Sequence, residues 1–258
     1  MIKFSKELKK WKMKSYNYFA NLYDCLTDNV NYQVRSDYIS DFFNDSNLNV
    51  ATVVDLACGT GSISVLLAKK GYNVIGVDLS QEMLSIASQK AFENGCNLSL
   101  YNAKMQEFRL PEPVDACVCC LDSINHLTDE SDVVETFRCV HNNLKQGGIF
   151  IFDVNTVYKH KYVLADKTFV FEDEDYYLVW DNEQIDEFEI RILLDMFIFN
   201  GENYDRYSEE FNERAYTVEF LRDNLNSVGF EIIGIYDDLS KSSPSNESER
   251  IYFVCKKV

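Results

Sequence analysis

The sequence predicts an α/β fold: a doubly wound, mostly parallel seven-stranded sheet with a small antiparallel β insert after the fifth strand. Short β-rich runs alternate with helical stretches from about residue 50 to 155, and the alternation resumes after residue 216. Between residues 157 and 215 apolar and acidic residues interleave instead with period two, which predicts the insert. The 258 residues, 46% hydrophobic and 26% charged, suffice for one large core with an appendage.

Each element has its own signal. Ala51–Leu56 reads as a buried strand running into a glycine turn. Ile63, Leu66 and Leu67 stand at helical spacing in a helix over Ile63–Lys70 that stops at Gly71. Asn73–Val77 is a second strand, and Ser80 caps a helix over Gln81–Asn94 that ends at Gly95. Leu98–Asn102 and Val114–Leu121 are the third and fourth strands. A helix over Ser131–Leu144 closes at Gly147 and Gly148, and Ile149–Val154 is the fifth strand. The insert holds three or four strands, from Phe169–Glu172, Tyr176–Asp181, Ile190–Phe199 and Asn203–Tyr207, with a hairpin turn at Asn200–Gly201. Thr217 caps a helix over Val218–Ser227 closed by Gly229, and Phe230–Asp237 and Glu249–Lys256 complete the sheet. The predicted division is a helical cap (1–48), a cofactor-binding domain (49–156 and 216–258) and an insert (157–215) forming an acceptor-side lid.

Charge narrows the partners. The formal net charge is −17, and the acidic excess is greatest after residue 156. A polyphosphate binder needs a basic face to release counterions, so nucleic acid is not an expected partner. The one basic cluster, Lys3 to Lys14, reads as a solvated helix face. Nine acids and no Lys or Arg stand between Phe171 and Ile190, a solvated face or a field that attracts a cationic acceptor. No apolar run reaches the roughly 20 residues of a membrane span. The basic N-terminus lacks a secretory h-region, so the expected location is cytoplasmic. Cys117 and Cys120 form a CxxC within a strand, whose alternation sends them to opposite faces. No second pair completes a zinc set, so no metal is expected and the thiols read as reduced and buried.

The chemistry concentrates in Val53–Gly61. Gly59 and Gly61 let the backbone approach a ligand where the first strand becomes the first helix, whose N-terminus offers free N–H groups. Asp78, nineteen residues after Gly59, ends the second strand, where an acid accepts hydrogen bonds from ribose hydroxyls. Together these predict a nucleoside site that would suit either NAD or S-adenosylmethionine. The nicotinamide fingerprint wants Gly or Ala at its third position, and Ser64 stands there. Tyr252 and Lys256, the one Tyr-x-x-x-Lys pair, fall in a predicted strand about 13 Å apart, which does not suit a short-chain dehydrogenase.

The segment Val53–Gly61, with Asp55 before Ala57, Cys58, Gly59, Thr60 and Gly61, resembles the first motif of class I S-adenosylmethionine-dependent methyltransferases. Val77–Leu84 is similar to their second, Cys120–Leu127 to their post-strand-four motif, and Leu144–Asn155 to their fifth-strand motif. Tyr16–Asp24 resembles the cap helix of small-molecule members, and an insert after strand five is similar to that of aminosugar N-methyltransferases. The resemblance implies a Rossmann-like fold and S-adenosyl-L-methionine as cofactor. It also implies site roles: the turn from Gly59 to Gly61 faces the methionine portion, with Asp55 organising it and Ala57 and Cys58 among the cofactor-binding residues. Asp78 binds the ribose, Leu79 and Met83 pack near adenine, Asp122 stands near the methionyl group and acceptor, and Tyr16 and Tyr32 close from the cap. An acid usually follows strand three in this family, but here Lys104 does, and lysine accepts no hydrogen bond. Adenine recognition is therefore left to Met105 backbone groups or to Gln106.

Methyl transfer needs a base only when the acceptor arrives protonated. His126 is the candidate, and Asn125 could hold an acceptor without proton chemistry. The expected reaction is methyl transfer to an N or O nucleophile of a small molecule. A methyltransferase acting on protein, or a cofactor-binding module without catalysis, are the alternatives.

Overall fold

The computed structural model describes Thr27, residues 30–46 and residues 48–258. Tyr16, the proposed cap helix at Tyr16–Asp24 and the Lys3–Lys14 cluster lie outside these described residues. The first described helix, α1 (Tyr32–Asp45), starts at Asn31, whose side chain accepts from the Val34 N–H. There follow β1 (Thr52–Leu56), α2 (Ser62–Lys69), β2 (Asn73–Asp78), α3 (Gln81–Glu93), β3 (Ser99–Asn102) and β4 (Val114–Cys119). After a 3₁₀ turn at Ser123–His126 come α4 (Glu130–Asn143) and β5 (Leu144–Asn155). The insert consists of a π-helical turn (Lys159–Leu164), β6 (Thr168–Glu172), β7 (Tyr176–Gln184), β8 (Glu189–Phe199) and β9 (Tyr204–Arg214). The chain ends with α5 (Val218–Val228), β10 (Phe230–Asp237) and β11 (Arg250–Lys257).

The main sheet has the order β10-β11-β5-β4-β1-β2-β3, and β11 runs antiparallel to both its neighbours. The chain winds from β1 outward through β2 and β3, then returns to β4 on the other side of β1. That reversal opens a crevice at the carboxyl ends of β1 and β4, where open α/β sheets bind ligands. One apolar cluster on each face of the sheet buries it. Alternation along β4 puts Cys117 and Cys119 in one cluster and Cys120 in the other, as the sequence predicts.

One boundary differs from expectation. Gly147 and Gly148 do not close α4, which ends at Asn143; they lie inside β5. Leu144 already pairs with Val114, and the next paired residues are Ile149 and Ala116, so the segment between bulges out of the ladder. Gly147 takes φ +77° there, and a Cβ on Gly148 would stand 2.8 Å from the Lys145 carbonyl oxygen. Pairing, not helix capping, selects these glycines.

The insert is a four-stranded antiparallel sheet, β6-β7-β8-β9. Ile190, Ile192, Leu194 and Met196 of β8 bury alternate positions against Leu178 and Leu164. Helix α1 is held to the main domain by Arg35, which donates to the Tyr252 hydroxyl and pairs with Asp238 at 3.0 Å. Among the described residues no helix is long and apolar enough to cross a membrane.

The β1–α2 turn depends on close packing with α3. Gly61 has φ +76°, and a Cβ there would stand 2.8 Å from the Ala87 Cβ. Gly61→Ala should therefore lose about 2–4 kcal/mol of stability through strain and overpacking. Urea unfolding checks this, and an unchanged midpoint contradicts it.

Candidate active site

The turn after β1 uses left-handed backbone at Ala57 (φ +56°), Gly59 (φ +53°) and Gly61. The Cys58 N–H donates to the Val77 carbonyl at 3.0 Å, tying the turn to the end of β2. Asp78 completes the joint: its Oδ2 accepts from the Gly59 N–H at 2.8 Å and its Oδ1 from the Ser80 N–H at 2.8 Å. Burial raises the Asp78 pKa and these backbone donors oppose it. A carboxylate has about four lone-pair sites, so some acceptor capacity remains beyond these backbone donors.

The two glycines have different duties. A Cβ on Gly59 meets nothing within 4 Å, so this backbone faces open space, whereas Gly61 faces α3. Of the two glycines the sequence offers to a ligand, Gly59 alone faces open space, while the Gly61 side is filled by Ala87. Beneath the turn the buried Asp55 accepts from the Ser64 hydroxyl, and burial pushes its pKa up to about 7. The same burial raises the Cys58 thiol, which is no nucleophile there. Tyr32, Asp55, Gly59, Thr60, Leu121 and Ser123 border a small cleft. Its open glycine backbone and free carboxylate capacity fit a nucleoside carrying an amino acid.

Beyond Asp78 the side chains diverge. Leu79 is exposed, and Met83 is half-buried with its N–H held by the Ser80 hydroxyl at 3.2 Å. Asn102 donates to the Asp78 and Leu79 carbonyls at 3.1 and 2.7 Å and so braces that loop. Lys104 is exposed and 3.5 Å from Glu107. The Met105 sulfur lies 3.9 Å from the Cys119 thiol, and its partly buried side chain packs against the core.

After β4, Leu121 and Asp122 both adopt left-handed backbone, with φ of +59° and +53°. Their N–H groups donate to the two oxygens of the fully buried Asp153, at 2.9 and 2.8 Å. Arg250 pairs with Asp153 and, at 2.7 Å, with Asp122 Oδ1, while Asn155 donates to Asp122 Oδ2 at 3.0 Å. Burial is the largest single influence and works against the Asp122 charge, but the Arg250 guanidinium, Lys159 and His126 together hold the acid down to about 2. Asn125 is fully buried: its Nδ2 donates to the Asn155 and Arg214 carbonyls and its Oδ1 accepts from the Asn155 N–H. The amide clamps the turn to β5 and β9 and is spent within the protein. His126 is half-exposed, with Nε2 3.8 Å from Glu213 Oε1. The ligand atoms of Asp122, His126 and Glu213 lie within 4.8 Å of one another, yet Arg250 already supplies Asp122 with the positive charge a metal would bring.

Tyr32, Asp55, Ala57, Cys58 and Gly59 thus share the cleft, Asp78 adjoins it through Gly59, and Asp122 stands behind its far wall. Sequence reasoning missed Arg250, Asp153, Asn155 and Glu213. Asp153 and Asn155 sit at a strand's carboxyl end, a usable signal; Glu213, in an acid-rich alternating strand, carried none.

A methyltransferase domain model matches residues 53–148. The methyltransferase-family protein YqeM of Bacillus subtilis (strain 168) is 37% identical over 94% of this chain and 97% of its own. A solved S-adenosylmethionine-dependent methyltransferase from Clostridium acetobutylicum superimposes with a TM-score of 0.87, at 35% identity over 94% of this chain and 98% of that one. The sugar N-methyltransferase KedS8 of Streptoalloteichus shares the fold, with a TM-score of 0.76 at 18% identity over 100% of this chain and 98% of its own. The chain belongs to the methyltransferase family. It is an S-adenosylmethionine-dependent enzyme, with S-adenosyl-L-methionine as its cofactor.

Two outcomes test the site. Asp78→Ala should weaken S-adenosylmethionine binding at least tenfold by calorimetry; an unchanged dissociation constant removes Asp78 from the site. The folded-state pKa of Asp55 is raised, so its contribution to stability is complete near pH 3.8 and lost as pH rises through about 7. Asp55→Asn should therefore gain stability relative to the parent across that window, read from urea midpoints; a constant difference contradicts the assignment.

Proposed function

We propose that the chain methylates an N or O nucleophile of a small molecule, with His126 as the proton acceptor. The carrying observation is the position of the 3₁₀ turn Ser123–His126. It lies between the cofactor cleft, which Ser123 borders, and the insert, whose Glu213 faces His126. The bound cofactor supplies a methyl group already activated on a sulfonium. In this reading Gly59 and its neighbours seat the methionine portion, Asp78 holds the ribose, and Leu79 and Met83 flank the base near the Lys104–Met105 backbone. Tyr32 closes the cleft from the cap and excludes water. Alignment by such walls is worth about 7–11 kcal/mol in a two-centre displacement. Asp122 is the fixed, charged floor beside the acceptor, and Asn125 keeps that turn in place. His126 takes the proton that an ammonium or hydroxyl acceptor must lose.

The insert acts as the acceptor-side lid, since β9 is hydrogen-bonded to the turn through Asn125 and Arg214. Several features support the partner reading: an acidic chain repels nucleic acid, and acids on the insert attract an amine. Among the described residues seven cysteines are free thiols, which supports a reducing compartment such as the cytoplasm.

Labelled methyl incorporation into pooled amines, alcohols and aminosugars tests the substrate class. Incorporation into a small molecule is expected; incorporation into peptides alone contradicts it. His126→Ala should lower kcat by about 10²-fold or more and leave cofactor affinity unchanged. An unaltered kcat removes His126 from the proton step.

A further inference from the structure

Resting on the reading of His126 as the proton acceptor, we propose that Glu213 is its positioning residue. It is a buried carboxylate, delivered by the last strand of the insert and held by His160, that orients the His126 ring and stabilises its protonated form.

Glu213 differs from the other acids of β9. Glu209 and Glu210 are exposed, whereas Glu213 is 4% exposed and lies among ring nitrogens. A carboxylate buried this far is costly unless its charge is matched. Its Oε1 faces His126 Nε2 at 3.8 Å and its Oε2 faces His160 Nε2 at 3.7 Å. Phe211, two residues earlier on the same face of the strand, packs against the His126 ring with centroids 5.2 Å apart. One strand therefore fixes the ring by an aromatic contact and a charge, while Nδ1 is left as the atom that can take a proton.

The His160 ring reveals where a proton is kept. Its Nδ1 lies 3.1 Å from the Phe188 carbonyl oxygen, which only accepts, so Nδ1 carries a hydrogen. Its Nε2 is buried without a hydrogen-bond partner and faces Glu213. His160, 1% exposed, thus braces Glu213 from the side away from His126.

The other charges around His126 are otherwise committed. Asp122 is held by Arg250 and Asn155, and Asp78 by the Gly59 and Ser80 N–H groups. Lys159, whose charge interacts with Asp122 and Glu213, donates to Asn155 Oδ1 at 3.0 Å. When the hydrogen of an acceptor N–H or O–H passes to His126 as a proton, the electron pair stays on the acceptor and Glu213 offsets the new ring charge.

The chain has three histidines, so each ring can be followed by long-range ¹H–¹⁵N spectra of the full-length protein across pH. In Glu213→Gln the His126 ring should change protonation state about one pH unit lower than in the parent. Glu213→Asp should recover part of that shift, a rescue that loss of packing would not give. His160→Gln, which loosens Glu213 without removing it, should move His126 in the same direction and serves if Glu213→Gln does not fold. A His126 titration that stays fixed in the folded variants overturns the proposal. The underlying reading fails separately: if the Glu213 variants shift His126 but His126→Gln keeps full methyl incorporation, the ring is oriented as described and is not the base.

Discussion

The rest of the site depends on one carboxylate that joins the ends of two strands. Asp78 binds the Gly59 N–H on one side and the Ser80 N–H on the other, so the turn after β1 and the cap of α3 cannot move apart. Gly61 against Ala87 closes the same joint from below, by contact instead of charge. Between them the chain is forced through three left-handed residues, and the Gly59 backbone is left facing open space. In the proposed reading cofactor binding would use that arrangement: the acid is already oriented and partly desolvated before any hydroxyl reaches it.

The opposite wall is built on a reversed strand. Because β11 runs antiparallel, its first residue, Arg250, arrives at the sheet edge where β4 and β5 end. There the guanidinium pairs with both Asp153 and Asp122, and Asp153 accepts the two N–H groups of the left-handed corner at Leu121 and Asp122. The insert meets this edge as well, through Asn125 and through Glu213. Two departures from a plain parallel sheet, one reversed strand and one inserted hairpin pair, thus bring charge to one side of one cleft.

Periodicity made the fold legible. Strand alternation in β8 and the Thr217 and Ser80 caps need only local physics, and the structure has them where the sequence puts them. Gly59, Asp55 and Asp78 were legible because a strand-end turn and an acid after the next strand form a recognisable pair. The exceptions share a cause. Gly147 and Gly148 resemble a helix stop, yet the pairing of Leu144 with Val114 takes precedence. Asn125 resembles a free polar contact, yet two segments far along the chain consume its amide. Glu213 looks like a solvated acid because nothing in β9 alone tells which of its acids meets His126 and His160. Long-range partners decide these residues, and no local pattern encodes them.

A crystal structure of the protein with S-adenosylhomocysteine tests the central claim most directly. The account predicts both ribose hydroxyls within hydrogen-bonding distance of the Asp78 carboxylate and the amino-acid portion along the Gly59 backbone. A nucleoside bound elsewhere, or an Asp78 carboxylate that makes no contact with the sugar, contradicts it.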